Sequence, residues 1–232
     1  MISFLRELYI YPGRLENHDY KAYRLQNSFI EGSEYTPLLN NVIVRMIQES
    51  NPRELRIYPY ISDLSIWGNL SSIREKYNRY IPQMRENEIV EDADDFVSLV
   101  KEIYTDIFSA ISKHKLADRS SVYIINANYE FDEEQEKELR VMLSYIHTYG
   151  NANGFYVIYV GENIPEFIKE YTSLKISTIK KEERKDTDRS GTAKVISESS
   201  EVTVYIPFYP DTFLTKFMRY YSMNYKETKN ES

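Results

Sequence analysis

The residues Val122-Tyr123-Ile124-Ile125, followed directly by Asn126-Ala127-Asn128, form the most informative segment of the chain. The first four are apolar, β-branched or aromatic, and polar residues bound them on both sides, which predicts a fully buried central β-strand. In α/β proteins the functional groups lie just beyond the carboxyl ends of such strands. Asn126 and Ala127 therefore mark the first place to look for a functional site.

Composition limits the classes of protein that the chain can belong to. Its 232 residues suffice for one sizeable core, and 42% hydrophobic and 28% charged residues are typical of a soluble globular protein. A net charge of −7 argues against DNA binding by bulk charge. Without cysteine the chain has neither disulfides nor thiolate metal sites, and the scattered His18, His114 and His147 do not predict a metal site.

Helical and extended patterns alternate along the sequence. Amphipathic stripes predict helices after residue 36, after residue 95 and after residue 132, and short apolar runs predict strands between them. This order predicts an α/β fold, with a mostly parallel sheet flanked by helices. A hairpin made of Lys194–Ser197 and Val202–Pro207 and a helix capped by Asp211 are expected late in the chain.

One domain is expected over residues 1–232. It divides into an N-terminal edge hairpin (1–28), a core (29–179), and a late β-hairpin with a C-terminal helix (180–223). The edge hairpin is expected to turn at Pro12-Gly13. Charged residues without apolar periodicity predict an exposed loop over Lys180–Gly191, although its bases leave nucleic-acid contact as an alternative.

A short loop between a strand and a helix lies at Phe29–Thr36. Thr36 is expected to cap the helix and Pro37 to occupy its first position, because both residue types favour those places. This loop is where a phosphate would lie in a nucleotide-binding protein.

The order and spacing of these segments resemble the FtsK/SpoIIIE-type ATPase domain of the HerA–RecA-like group, over about residues 23–221. That group includes DNA translocases, conjugation coupling proteins and the EccC/EssC motors of type VII secretion. Its phosphate-binding loop, G-x-x-G-x-G-K-S with an Asn downstream, falls on Phe29–Thr36 and Asn40. Three positions agree with it: Gly32, Ser33 and Thr36. Three depart from it, because the first glycine is Phe29, the third is Glu34 and the lysine is Tyr35.

The family's acidic Asp-Glu pair falls on Asn126 and Ala127. In a working ATPase one of these carboxylates holds Mg²⁺ and the other orients water. Two further family segments fall on Asn51–Ile57 and Asn153–Glu162, where the family's Thr-Gln pair is replaced by Val160-Gly161.

These departures predict a catalytically inactive domain. Glu34 places a carboxylate where phosphates should lie, Tyr35 lacks the lysine charge, and the acidic pair is lost. We therefore expect neither catalytic residues nor a bound cofactor or metal, but a relic nucleotide pocket. Its residues are Gly32, Ser33, Glu34, Tyr35, Thr36, Asn126 and Ala127.

The resemblance implies a role in a secretion motor of the type VII kind, in which an ATPase-like module binds or positions a protein partner. Such a partner is a secreted substrate or another ATPase domain of the same motor, and the 22 tyrosines offer contact surface for it. A DNA translocase or conjugation coupling subunit, with DNA as partner, is the first alternative, and a structural subunit that lost its site is the second. The family implies a cytoplasmic location, with membrane association only through a partner or a longer parent protein. The sequence leaves open whether the chain is a whole protein or one domain of a tandem motor.

Overall fold

The computed structural model describes residues 7–33, 35–61, 79–85, 88–113, 119–180, 189–207 and 209–224. Its strands are β1 (Tyr9–Arg14), β2 (Tyr20–Arg24), β3 (Ser28–Glu31), β4 (Leu55–Tyr60), β5 (Arg79–Tyr80), β6 (Ser120–Asn126), β7 (Phe155–Gly161), β8 (Leu174–Lys180), β9 (Arg189–Ser197), β10 (Ser200–Pro207) and β11 (Met223–Asn224). Its α-helices are α1 (Tyr35–Glu49), α2 (Ala93–Ser112), α3 (Glu133–Tyr145), α4 (Glu166–Lys169) and α5 (Asp211–Tyr221). A π-helical turn, Ile146–Gly150, continues α3.

Nine of these strands form one sheet in the order β2-β1-β10-β9-β8-β3-β7-β6-β4. The five strands β8, β3, β7, β6 and β4 run parallel to one another. The other pairs in the sheet, β8–β9, β9–β10, β10–β1 and β1–β2, are antiparallel. The predicted α/β architecture and the late hairpin are confirmed. The parallel part of the sheet contains β6, which carries the Val122–Ile125 run.

Helices cover both faces of the parallel strands. Successive side chains of β6 point to opposite faces of the sheet, so they join two different buried clusters. Ile124 lies in the cluster with α1 and α5, and Ile125 lies in the cluster with α2 and α3. This double burial explains why the strand reads as an unbroken apolar run instead of an alternating one. Asp132 caps α3 as predicted and forms a capping box with Gln135.

Three local predictions are wrong. Strand β1 continues through Pro12-Gly13, because a register shift between Ile10 and Gly13 accommodates the proline. At Gly13 a Cβ would lie 2.5 Å from the carbonyl oxygen of Tyr205, so this glycine permits close strand contact instead of a turn.

The other two errors concern helix starts. Helix α1 begins at Tyr35, so Thr36 and Pro37 lie inside its first turn, where the missing N–H of proline is tolerated. Helix α5 begins at Asp211, which leaves Pro210 at the cap position. Of the predicted Lys180–Gly191 loop, residues 181–188 lie outside the described residues, and the two flanking segments belong to β8 and β9.

Candidate functional site at the carboxyl ends of the parallel strands

The candidate site lies where the helix connections change sides of the sheet. Strand β3 leads into α1 on one face, whereas its neighbour β7 leads into α4 on the opposite face. Such a switch opens a crevice beyond the strand ends, where α/β proteins bind ligands. Gly32 and Ser33 follow β3 at this edge, and Ala127 follows β6 two strands away.

Backbone hydrogen bonds join these segments at the end of β7. The N–H of Gly32 donates to the carbonyl oxygen of Gly161 (3.1 Å), and the N–H of Ala127 donates to that of Val160 (2.9 Å). The structure thus brings together the predicted residues on the β3 and β6 sides. Tyr35 and Thr36 form the first turn of α1, and Glu34 lies outside the described residues.

Glu31, the last residue of β3, is bound by the protein itself. One carboxylate oxygen accepts hydrogen bonds from the N–H of Ile164 (3.0 Å) and from Nζ of Lys169 (2.7 Å). The Lys169 side chain is only 13% exposed and also contacts Glu166 (2.8 Å). Burial alone would lower the pKa of Lys169, but the hydrogen bonds to Glu166 and Glu31 outweigh it and raise that pKa. The hydrogen bond from Lys169 in turn lowers the pKa of Glu166.

A second network fixes the end of β6. The side-chain amide of Asn126 donates to the hydroxyl of Tyr129 (3.1 Å), which donates to the carbonyl oxygen of Val90 (2.6 Å). The Asn126 side-chain oxygen accepts from the N–H of Asn128 (3.3 Å). Burial raises the pKa of Tyr129, so its hydroxyl keeps its proton at neutral pH. The Asn126 side chain therefore has structural partners on both of its polar atoms.

Comparison with solved structures reveals clear likenesses at low sequence identity. The chain is similar to EssC (ATPases 2 and 3) from Geobacillus thermodenitrificans, with a TM-score of 0.57 and 12% identity over 96% of this chain and 49% of that one. It is similar to the cytoplasmic domain of the Thermomonospora curvata type VII secretion ATPase EccC, with a TM-score of 0.60 and 9% identity over 93% of this chain and 31% of that one. The pCW3 conjugation coupling protein TcpA, in a monomer form with ATPγS, gives a TM-score of 0.56 and 10% identity over 93% of this chain and 71% of that one.

The fold, a largely parallel sheet flanked by helices, matches that of these ATPase structures. The predicted fold class is thus confirmed, and the chain spans about half or less of the length of the EssC and EccC structures. No family model and no curated protein matches the sequence.

The resemblance places the phosphate-binding loop at the connection between β3 and α1. Here that connection has three residues, Gly32 to Glu34, and Phe29 lies within the strand instead of opening the loop. Across the described ranges, no group of three or more His, Asp or Glu side chains is arranged to hold a metal ion.

Sequence reasoning missed the pairing of Glu31 with Lys169. The two residues are far apart in the chain, and an acid at a strand end and a lysine in a short helix are each ordinary features. Their pairing follows only from the placement of β7 beside β3, which brings α4 to the end of β3. No local pattern encodes that neighbour relation.

Replacement of Lys169 by Met is expected to lower the free energy of unfolding by about 2 kcal/mol at pH 7. It leaves the Glu31 carboxylate, 19% exposed, without its cation. The pKa of Lys169 is raised in the folded state. The stabilisation by this ion pair is therefore complete below the pKa that lysine has in the unfolded chain, and it is lost as pH rises through the pKa of Lys169 in the folded state. Urea denaturation across a series from neutral to strongly alkaline pH measures both effects.

Lys194→Met is the matched control, since Lys194 pairs with Glu201 on the surface with side chains 40% and 61% exposed. Its cost should stay below about 0.5 kcal/mol. Equal losses for the two variants would contradict a structural role for the Glu31–Lys169 pair.

Proposed function

We propose that the chain is a catalytically inactive ATPase-like module that binds or positions a protein partner in a secretion motor of the type VII kind. The observation that carries the proposal is which side chains lie at the carboxyl ends of the parallel strands. By the resemblance, Tyr35 and Asn126 fall where the family has its phosphate-binding lysine and its metal-binding Asp. Tyr35 lies in the first turn of α1, and the Asn126 amide donates to the Tyr129 hydroxyl.

Charge in the crevice also supports inactivity. Phosphoryl transfer depends on positive charge and a metal ion placed around the phosphates. Lys169, a cation near the end of β3, is already paired with Glu31 and Glu166. Ala127, fully buried, has no group that could orient a water molecule.

Likeness to multidomain motors supports the choice of system. One similar structure is the type VII secretion ATPase EccC, and another is EssC with its ATPases 2 and 3. Both are much longer than this chain, so other ATPase domains of the same motor are natural partners, beside a secreted substrate. We place the chain in the cytoplasm by analogy with the cytoplasmic EccC domain. None of the helices described here is long and apolar enough to cross a membrane.

The likeness to TcpA favours a second candidate, a domain of a conjugation coupling protein or DNA translocase. That function needs ATP at this pocket or a site completed by another subunit. A structural subunit whose site was lost is the third candidate, and the absence of any partner would favour it.

Calorimetry with Mg²⁺ and ATP, with ATPase activity followed on the same sample, tests the proposal. We expect neither measurable heat of binding nor turnover. Binding without turnover that is abolished in Thr36→Ala would indicate a regulatory nucleotide site, because the resemblance places Thr36 at the loop position whose hydroxyl can contact Mg²⁺. Turnover would overturn the proposal and favour the DNA-motor candidate.

A further inference from the structure

Two tyrosines of β4, the last strand in the order of the sheet, lie against α2. Tyr58 and Tyr60 both pack on the buried cluster that contains Ile103 and Ile107 of that helix. The ring of Tyr58 stacks on that of Tyr123, its register partner on β6, with the centroids 4.9 Å apart and an angle of 16° between the planes. We call the three tyrosine rings the β4–β6 tyrosine cluster.

The hydroxyl groups of this cluster are not used by the protein. None of the three forms a hydrogen bond with a residue that the structure describes. Tyr123 is only 6% exposed, and a tyrosine buried this deeply ordinarily has a partner for its hydroxyl. The cluster therefore offers hydroxyl oxygens to a ligand that donates hydrogen bonds.

Three carboxylates lie beside the cluster. Glu102 and Asp106 are exposed and lie one turn apart on α2, each directly before one of the isoleucines on which the tyrosines pack. Glu88 is also exposed, and its N–H donates to the carbonyl oxygen of Pro59, the residue between the two tyrosines of β4 (3.1 Å). Within the described ranges none of these three acids forms an ion pair.

The charge of these acids reaches the tyrosine hydroxyls. Burial raises the pKa of Tyr60 to about 12, and the carboxylates of Glu88, Glu102 and Asp106 contribute to the rise. Burial is also the main cause of the raised pKa of Tyr123, to which Asp106 adds. Both hydroxyls keep their protons at neutral pH and lie in a negative field, which favours a cation.

The chemistry of the surroundings selects one kind of cation. Tyrosine ring faces attract cations, and exposed carboxylates without a partner add to the attraction. A guanidinium group is planar, weakly hydrated and able to stack on a ring, and its five donors can reach carboxylates and hydroxyls on separate elements. An ammonium group offers only a compact charge. Nucleic acids and anionic membranes are disfavoured by the acids.

We propose that the β4–β6 tyrosine cluster, with Glu88, Glu102 and Asp106, is a binding site for an arginine side chain of a protein partner. The guanidinium plane lies against the tyrosine rings and donates to the carboxylates. Because the acids are exposed at the surface, the site suits a side chain that a larger partner carries. This inference deepens the proposed function, since it rests on the domain binding a protein partner.

Three blocked tripeptides test the inference. The probe is acetyl-Gly-Arg-Gly-amide, and its two analogues carry citrulline, which is neutral but similar in shape, or lysine, which has the charge without the plane. In an NMR titration of the full chain at pH 7 and low salt, the arginine peptide should shift resonances of β4 and α2 with a Kd on the order of 1 mM. The citrulline peptide should shift none, and the lysine peptide should bind at least about threefold more weakly.

Variants of the chain locate the binding. Glu102→Gln/Asp106→Asn should weaken binding of the arginine peptide about tenfold, because it removes two of the three carboxylates and keeps the rings. Glu162→Gln/Glu198→Gln is the matched control, since it removes two exposed acids elsewhere, and it should change the Kd less than about twofold. Tyr60→Leu keeps every charge and should weaken binding at least about threefold. Thermal melts confirm that the variants are folded.

Equal binding of the arginine peptide and either analogue, or equal effects of the two acid variants, would overturn the inference. Sedimentation of the chain alone identifies a second copy as the occupant if self-association is lost in Glu102→Gln/Asp106→Asn, and that result would also overturn it. The ATP experiment is independent of these outcomes. Turnover together with selective arginine binding would reject inactivity and keep the site, whereas silence with ATP and no selective binding would reject the site alone.

Discussion

Gly32→Ala should lower the free energy of unfolding by about 4 kcal/mol, the sum of a backbone and a steric penalty. Gly32 has a φ of +127°, a conformation that costs a residue with a Cβ about 1–3 kcal/mol. A Cβ at this position would also overlap Oγ1 of Thr178 on β8 and lie 3.1 Å from its Cβ, and such overpacking adds about 1–3 kcal/mol. Urea denaturation of the variant measures the loss.

Thr178→Ala separates the two contributions. It removes the Oγ1 that would overlap and its hydrogen bond to the carbonyl oxygen of Glu31 (3.3 Å), so alone it should cost about 1 kcal/mol. In this background Gly32→Ala should cost about 2 kcal/mol less than in the parent, because only the backbone strain and the residual crowding remain. Strict additivity of the two substitutions would contradict the steric account.

The close approach at Gly32 bears on function as well as on stability. A glycine in a phosphate-binding loop lets the backbone approach a ligand, whereas here it lets the backbone approach β8. The same residue type is thus used for packing within the protein. This contact, like the pairing of Glu31 with Lys169, supports the proposal that the domain is catalytically inactive.

Elements whose signals are local could be predicted from the sequence. The Val122–Ile125 run indicated the central strand because it is buried on both faces, and Asp132 indicated the start of α3 because a cap and its capping box are encoded within one helical turn. The turn predicted at Pro12-Gly13 was wrong, because proline and glycine also occur at strand irregularities and where two strands approach closely. Composition alone does not distinguish these uses.

The candidate site could be predicted only in part. The strand order places the ends of β3, β7 and β6 side by side, so Gly32 and Ala127 lie at the same edge of the sheet. The partners that bind its side chains come from distant segments: Lys169 for Glu31, and Val90, through Tyr129, for Asn126. Such pairings depend on how loops pack over the sheet, which no periodicity in the sequence reports.

Restoring the family's acid with Asn126→Asp should lower the free energy of unfolding by about 3 kcal/mol at pH 7. Asn126 is only 9% exposed, and its amide donates to the Tyr129 hydroxyl, whose proton is already directed at the Val90 carbonyl. A carboxylate there would face the hydroxyl oxygen or force Tyr129 to abandon Val90, so one buried polar group is left unpaired in either case.

The sign of the pH dependence follows from burial, which should raise the folded-state pKa of the introduced carboxyl group above its usual value of about 3.9. The loss of unfolding free energy therefore grows as pH rises from the pKa of the unfolded state through the pKa of the folded state. It is smaller in acid, where the protonated carboxyl group can donate a hydrogen bond to Tyr129. Urea denaturation at about pH 4 and pH 7 measures the change, and the variant should lose less stability relative to the parent at the lower pH.

Asn128→Asp is the matched control two residues away. Its side chain is exposed, and its oxygen accepts from the N–H of Asn163 (3.0 Å), a contact that an aspartate keeps. This variant should stay within about 0.5 kcal/mol of the parent. A harmless Asn126→Asp would mean that the asparagine has no structural role and that a metal-binding Asp remains compatible with the fold. A large, pH-dependent loss confined to position 126 would mean that the Tyr129 network now requires an amide there, so that recovery of the metal site would need changes beyond one residue.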